Sequence, residues 1–199
     1  MKTIFAFFIL TAFLSLSAKA QKEKPQLLKE PAGWAFERFA LPPVFAPAIP
    51  YHGVEELRFS PGMFKKDSAD YFTYAFVAQP DSTTHVSKEN IRNYLLLYFK
   101  GLCGTTAKER KLVIDTSKIT VAIEKAKAVN RYVTSYDAQL NIFGVFTDGA
   151  PLKLNMEIKV LRNKKKQKTY LLFIVSPREK TAAVWKELYA IQENFVLPV

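Results

Sequence analysis

Between residues 152 and 160, Leu152, Leu154, Met156, Ile158 and Val160 alternate without a break with Lys153, Asn155, Glu157 and Lys159. Side chains two apart share one face of a strand, whereas helical neighbours recur at 3.6, so this run is a strand with one dry face and one wet face. The same period marks its neighbours. Ile119, Val121 and Ile123 alternate with Lys118, Thr120 and Glu124. After a turn at Asn130-Arg131, residues Tyr132, Tyr136, Ala138, Leu140 and Ile142 share a face. Asp148-Gly149 has the chemistry of a hairpin turn, and NKKKQK (163–168) that of an exposed hairpin tip. TYLLFIV (169–175) is apolar on both faces and belongs in the middle of a sheet.

The first half adds two strands and a helix. Val54 to Phe59 places Leu57 and Phe59 on one face; Tyr71 to Ala78 places Phe72, Tyr74 and Phe76 on one face and Thr73, Ala75 and Val77 on the other. Pro61-Gly62 supplies the turn between them, and Lys65 to Asp70 form an exposed loop. A helix follows, with Ser87 as cap, Glu89 in the first turn, Ile91, Tyr94, Leu95 and Tyr98 as its apolar stripe, and Gly101 as its end. A second helix is predicted from Ser176-Pro177-Arg178-Glu179, which reads as a capping box, with Val184, Trp185, Leu188, Ile191 and Phe195 as its inner face. The expectation is an α+β domain in the order ββαββββα, a mainly antiparallel sheet of about six strands packed by two amphipathic helices. In element order this resembles the PsbP-like fold, in which a closing helix also follows the last strand. That likeness carries no functional residue.

Upstream, Lys2, an apolar run from Ile4 to Leu16 and Ala18-Lys19-Ala20 follow the pattern of a secretory signal over residues 1–20, with cleavage expected after Ala20 and Gln21 as the first mature residue. The apolar run is shorter than the ~20 residues a helix needs to span a bilayer, which favours this reading over an uncleaved anchor and predicts no stable transmembrane segment after cleavage. Residues 21–50 hold most of the prolines and read as a lead and a strap, with at most a short strand through Trp34 to Phe39; residues 51–199 are a single domain. The one cysteine, Cys103, neither closes an intramolecular disulfide nor follows the signal where a lipid anchor needs it. An exported chain of this kind rests on its core, and 49% apolar and 14% aromatic residues supply one. Its charge is +11, or 11 − 2 = +9 without Lys2 and Lys19. Such a surplus serves solubility or favours acidic envelope partners. The run WAFERFALPPVFAPAIPYHGVEELRFSPGMF, Trp34 to Phe64, resembles a pattern in uncharacterised secreted or periplasmic bacterial proteins. This implies export and a bacterial source, with no activity attached.

Reactive groups are sparse. His52 and His85 have no neighbouring ligand at metal spacing, and no HExxH, CxxC, GxSxG or phosphate-binding glycine loop is present, so no cofactor or metal is expected. Cys103 lies near the expected end of a helix, where partial negative charge disfavours a thiolate, and reads as a small core residue. Glu55 and Glu56 are strand neighbours and point to opposite faces. Lys164, Lys165, Lys166 and Lys168 form a solvated tip with a minor reading as an anionic-surface contact; the lack of nearby aromatics argues against nucleic acid. The loop carrying Met63, Phe64, Asp67, Asp70 and Tyr71 is the candidate contact surface, because a turn does not readily bury both Met63 and Phe64. The function expected is that of an exported, non-catalytic domain binding a protein, glycan or envelope component. The alternative is an exported hydrolase using Asp67 and Asp70 with His52.

Overall fold

A sheet whose middle strands are apolar on both faces needs cover on both, and two helices supply it. The computed structural model describes residues 26–28, 31–81, 86–126, 133–163 and 165–197. The strands β1 (Ala35–Leu41), β2 (Gly53–Phe59), β3 (Tyr74–Pro80), β4 (Thr120–Lys125), β5 (Val133–Phe143), β6 (Pro151–Asn163) and β7 (Lys168–Ser176) form one antiparallel sheet. Their spatial order is β1-β2-β3-β7-β6-β5-β4. Between β3 and β4 the chain runs through α1 (Lys88–Arg110) and a 3-10 turn to the far edge, then winds back strand by strand until β7 lies beside β3. In β7 the alternation separates two cores: Leu171, Phe173 and Val175 pack under α1, while Tyr170, Leu172 and Ile174 pack against α2 (Val184–Asn194) through Trp185, Leu188 and Ile191.

The class is α+β, with seven strands where the sequence suggested six. The extra strand is β1, drawn from the proline-rich strap. Residues 35–41 are free of proline, so they can exchange ladder hydrogen bonds, and they pair with β2 from Ala35 opposite Phe59 to Leu41 opposite Gly53. Pro42 and Pro43 then end the strand at the sheet edge. The turn expected at Asn130-Arg131, His85, Lys164 and the leader residues 1–20 lie outside the described residues.

Both helix boundaries need correction. At α1, Ser87 caps as expected, with Asn90 completing the box in place of an acidic residue, but the helix runs through Gly101 and Gly104 and ends where Lys111 turns left-handed at φ 58°. Gly101 marks a close approach: a Cβ there would lie 2.1 Å from the Phe45 carbonyl oxygen, where the strap crosses the helix. At the C-terminal side, Ser176 stays in β7 and does not cap a helix. Its buried hydroxyl is bonded to Thr73 Oγ1 at 2.8 Å and accepts from the Arg178 amide at 3.2 Å. That local bond satisfies the serine and leaves residues 177–183 as a turn. α2 begins after Ala183, without a side-chain cap.

The two α1 glycines give a paired test. Gly101→Ala forces the strap off the helix and lowers stability to urea by about 1–3 kcal/mol. Gly104→Ala meets only Thr116 Cγ2, at an ordinary 3.7 Å, and gains up to about 1 kcal/mol of helix propensity. Equal effects in the two variants would show that the Phe45 contact does not set the requirement for glycine.

Candidate functional site

α1 packs mainly over β4 and β5, where Arg92 Nε reaches the Val121 carbonyl at 3.2 Å, and it reaches β2 at Glu55 through Tyr94 and Tyr98, which leaves the sheet edge along β1 without a helix above it. An uncovered apolar face at a sheet edge must be closed by something else. From one end the strap inserts Phe45, whose ring stands edge-on to Tyr98 of α1 at 5.0 Å and to Phe39 of β1 at 6.3 Å. From the other end the loop between β2 and β3 brings Phe64, 6.1 Å from Phe59 and 5.2 Å from Phe146. Between these plugs remains a groove of about 570 Å³. Leu57, Phe59 and Tyr74 form its floor, Tyr98 and Leu102 its inner wall, and Phe36, Glu37 and Phe39 its outer lip.

The loop of residues 60–73 is held rather than free. Asp70 accepts the Gly62 amide at 2.8 Å and the Ser68 hydroxyl; burial opposes its ionisation, yet these bonds keep the carboxyl below its ordinary value. The Arg178 guanidinium donates to the carbonyls of Ser68 and Ala69 at 2.7 and 3.1 Å, Lys66 pairs with Asp148, and the Tyr71 hydroxyl meets Thr147 Oγ1 at 2.9 Å. Phe72, a bulky residue at φ 48°, turns the chain into β3.

Of the contact residues read from the sequence, Phe64 is exposed, at 47%, whereas Met63 is buried at 2% and Tyr71 at 6%. The turn buries Met63 after all, because its side chain points inward to line the groove while Phe64 forms the rim. Asp67 is exposed, and Asp70 is committed to holding the loop. His52 lies just before β2, at the opposite end of that strand from the loop, so about 20 Å of strand separates it from Asp67 and Asp70. Lys165 and Lys166 lie exposed at the β6–β7 tip, and Lys168 opens β7. Among the described residues no three His, Cys, Asp or Glu side chains are grouped to hold a metal, and no helix is long and apolar enough to cross a membrane. The Cys103 thiol is fully buried against the Phe143 carbonyl, and burial pushes its pKa up to about 11.

Charged groups that reading the strands left unassigned lie beneath and beside the groove. Glu55, buried under α1, accepts hydrogen bonds from Tyr94 at 2.6 Å and Tyr98 at 3.0 Å. Desolvation pushes its pKa up to about 7, against the pull of the two phenols, and the nearby Glu37 charge adds to the rise. The buried Tyr74 hydroxyl has no hydrogen-bond partner among the described residues. Glu37 sits at the groove's outer lip on β1, opposite Leu57, and remains exposed to solvent; no ion pair or hydrogen bond reaches its carboxylate among the described residues, and its partial burial raises its pKa. No local pattern marks these groups, because the groove draws on residues as far apart as Phe36 and Phe146.

No family model, curated protein or solved structure matches this chain.

The burial of Glu55 predicts a pH dependence. The folded carboxyl keeps its proton up to about 7, whereas an unfolded one loses it near 4.5, so the native state binds more protons in between. The resulting stability is full below about pH 4.5 and is lost as pH rises through about 7. Glu55→Gln removes this proton, and its urea stability should fall less than the parent's between about pH 5 and about pH 8, by roughly 2–3 kcal/mol. Parallel pH profiles for the two proteins would show that Glu55 does not titrate in this window.

Proposed function

We propose that this protein is an exported, non-catalytic binding domain that captures an apolar group of a protein, glycan or envelope component in the groove behind Phe64. The observation that carries this reading is a preformed cavity of about 570 Å³ whose lining is dominated by aromatic rings and whose rim, Phe64, is held by a multiply bonded loop. Concave apolar sites of this size, with few polar groups, suit small ligands or single anchoring groups. Rings present hydrocarbon and π-faces, which bind side chains, sugar faces and acyl groups by packing rather than by reaction. The fixed loop lowers the ordering cost of binding. Export is supported by the signal-like pattern of residues 1–20.

The test is entry of the neutral fluorescent probe N-phenyl-1-naphthylamine, whose emission rises in apolar surroundings. Ala35 is exposed on β1 and lines the groove, so Ala35→Trp fills the site without displacing the core and should weaken the probe at least about tenfold. Phe64→Ala, which removes the rim, should weaken it about three- to tenfold, and Lys165→Ala should leave it unchanged. Undiminished probe binding by Ala35→Trp would overturn the reading.

A further inference from the structure

We propose that the natural occupant of the groove is an organic cation with an apolar body, its positive charge seated beside Glu37 and its body among the rings. This rests on the groove being the binding site and adds the sign of the ligand's charge. Glu37 is the one charged residue in the groove lining among the described residues, and its carboxylate has no partner there. Its pairing across the ladder with Leu57 turns it towards the groove, on the same sheet face as Glu55, which lies opposite Phe39 two residues along. Glu55 is buried beneath the groove and held neutral up to about pH 7, so Glu37 supplies the groove's negative charge, in a protein whose formal net charge is +11.

Among the described residues, neighbouring basic groups do not neutralise it. Arg38 alternates to the opposite face and pairs with Glu56; Arg58 is buried on that face, bonded to the Leu57 and Leu28 carbonyls; Lys66 is held by Asp148. The rings reinforce the same preference, since the face of each carries the negative end of its quadrupole and attracts cations placed over it. Phe39, Phe45 and Phe64 lie around the lip and ends of the cavity that Glu37 faces, and Phe59 lies in its floor. An anionic amphiphile would set its head against both the carboxylate and the ring faces. A neutral ligand would remove more water from Glu37 and return nothing to it. A cation relieves both.

Three probes with one body separate the possibilities: 4-phenylbutyltrimethylammonium, 4-phenylbutanol and 4-phenylbutyrate, titrated into the protein and followed by chemical-shift changes in aromatic resonances. The expected order of affinity is cation, alcohol, carboxylate, with the cation at least about tenfold ahead of the alcohol. Glu37→Gln, on an exposed edge strand, should weaken the cation about tenfold, leave the alcohol within about twofold and improve the carboxylate. Ala35→Trp should weaken all three. Cation and alcohol binding equally, or a cation indifferent to Glu37→Gln, would overturn the charge assignment while the groove reading stands. Failure of all three to bind the folded parent protein would overturn both.

Discussion

A strand that is covered on both faces can keep charged residues only if each face supplies a partner, and β2 places this demand on the whole molecule. Its consecutive residues Glu55, Glu56, Leu57 and Arg58 are all buried. Towards α1, Glu55 takes the hydroxyls of Tyr94 and Tyr98. Towards the other face, Glu56 accepts the amides of Leu27 and Leu28 at 2.7 and 3.1 Å and pairs with Arg38, while Arg58 donates to the Leu57 and Leu28 carbonyls and lies 4.2 Å under the Phe36 ring. Buried charges without such partners would cost several kcal/mol each, so these bonds fix where the N-terminal segment, β1 and α1 sit relative to β2. The segment at residues 26–28 is bolted to the sheet by charge-assisted hydrogen bonds, and Leu28 is thereby buried in the second core.

The groove follows from this arrangement. With α1 drawn over the central and β4-side strands and β1 held at the opposite edge, the gap between them is wider than the side chains from those elements can fill. Aromatic residues from the strap and two loops narrow it without closing it. An open site on a rigid frame is where recognition is expected, because the scaffold bears the ordering cost in advance. Glu37 is the exception to the pairing seen elsewhere on β1 and β2. Its neighbours Arg38 and Glu56 satisfy each other across the ladder, whereas its own carboxylate faces rings.

Local patterns made much of the architecture legible. Alternation in residues 119–123 and 152–160 and the continuous apolar run 169–175 marked β4, β6 and β7, and Ser87 marked the start of α1. The errors have definite causes. Proline density on either side of Ala35–Leu41 left that stretch as at most a short strand in a strap, whereas it is a full strand of the sheet. Gly101 looked like a helix stop and is a packing contact, which depends on a strap more than fifty residues away. Ser176 with Glu179 had the spacing of a capping box, but the serine hydroxyl is taken by Thr73, the residue just before β3. In each case a partner distant in sequence competed with a local preference and won. The candidate site was legible only in part: Phe64 stood out as a turn aromatic, while Glu37, Phe45, Tyr98 and Phe146 become neighbours only when the sheet edge, strap, helix and turn are assembled.

The sequence by itself determined that this chain forms an antiparallel sheet with amphipathic helices, since periodicity is a property of adjacent residues and survives any tertiary arrangement. It also determined that Glu55 and Glu56 lie on opposite faces, because neighbouring strand side chains must. Only the tertiary structure decided that both faces are buried, that Glu55 and Glu56 therefore require partners from different elements, and that Glu37 is left facing an aromatic groove. Burial and electrostatic pairing depend on distances between residues far apart along the chain, and those distances exist only once the sheet, its helices and the strap have packed together.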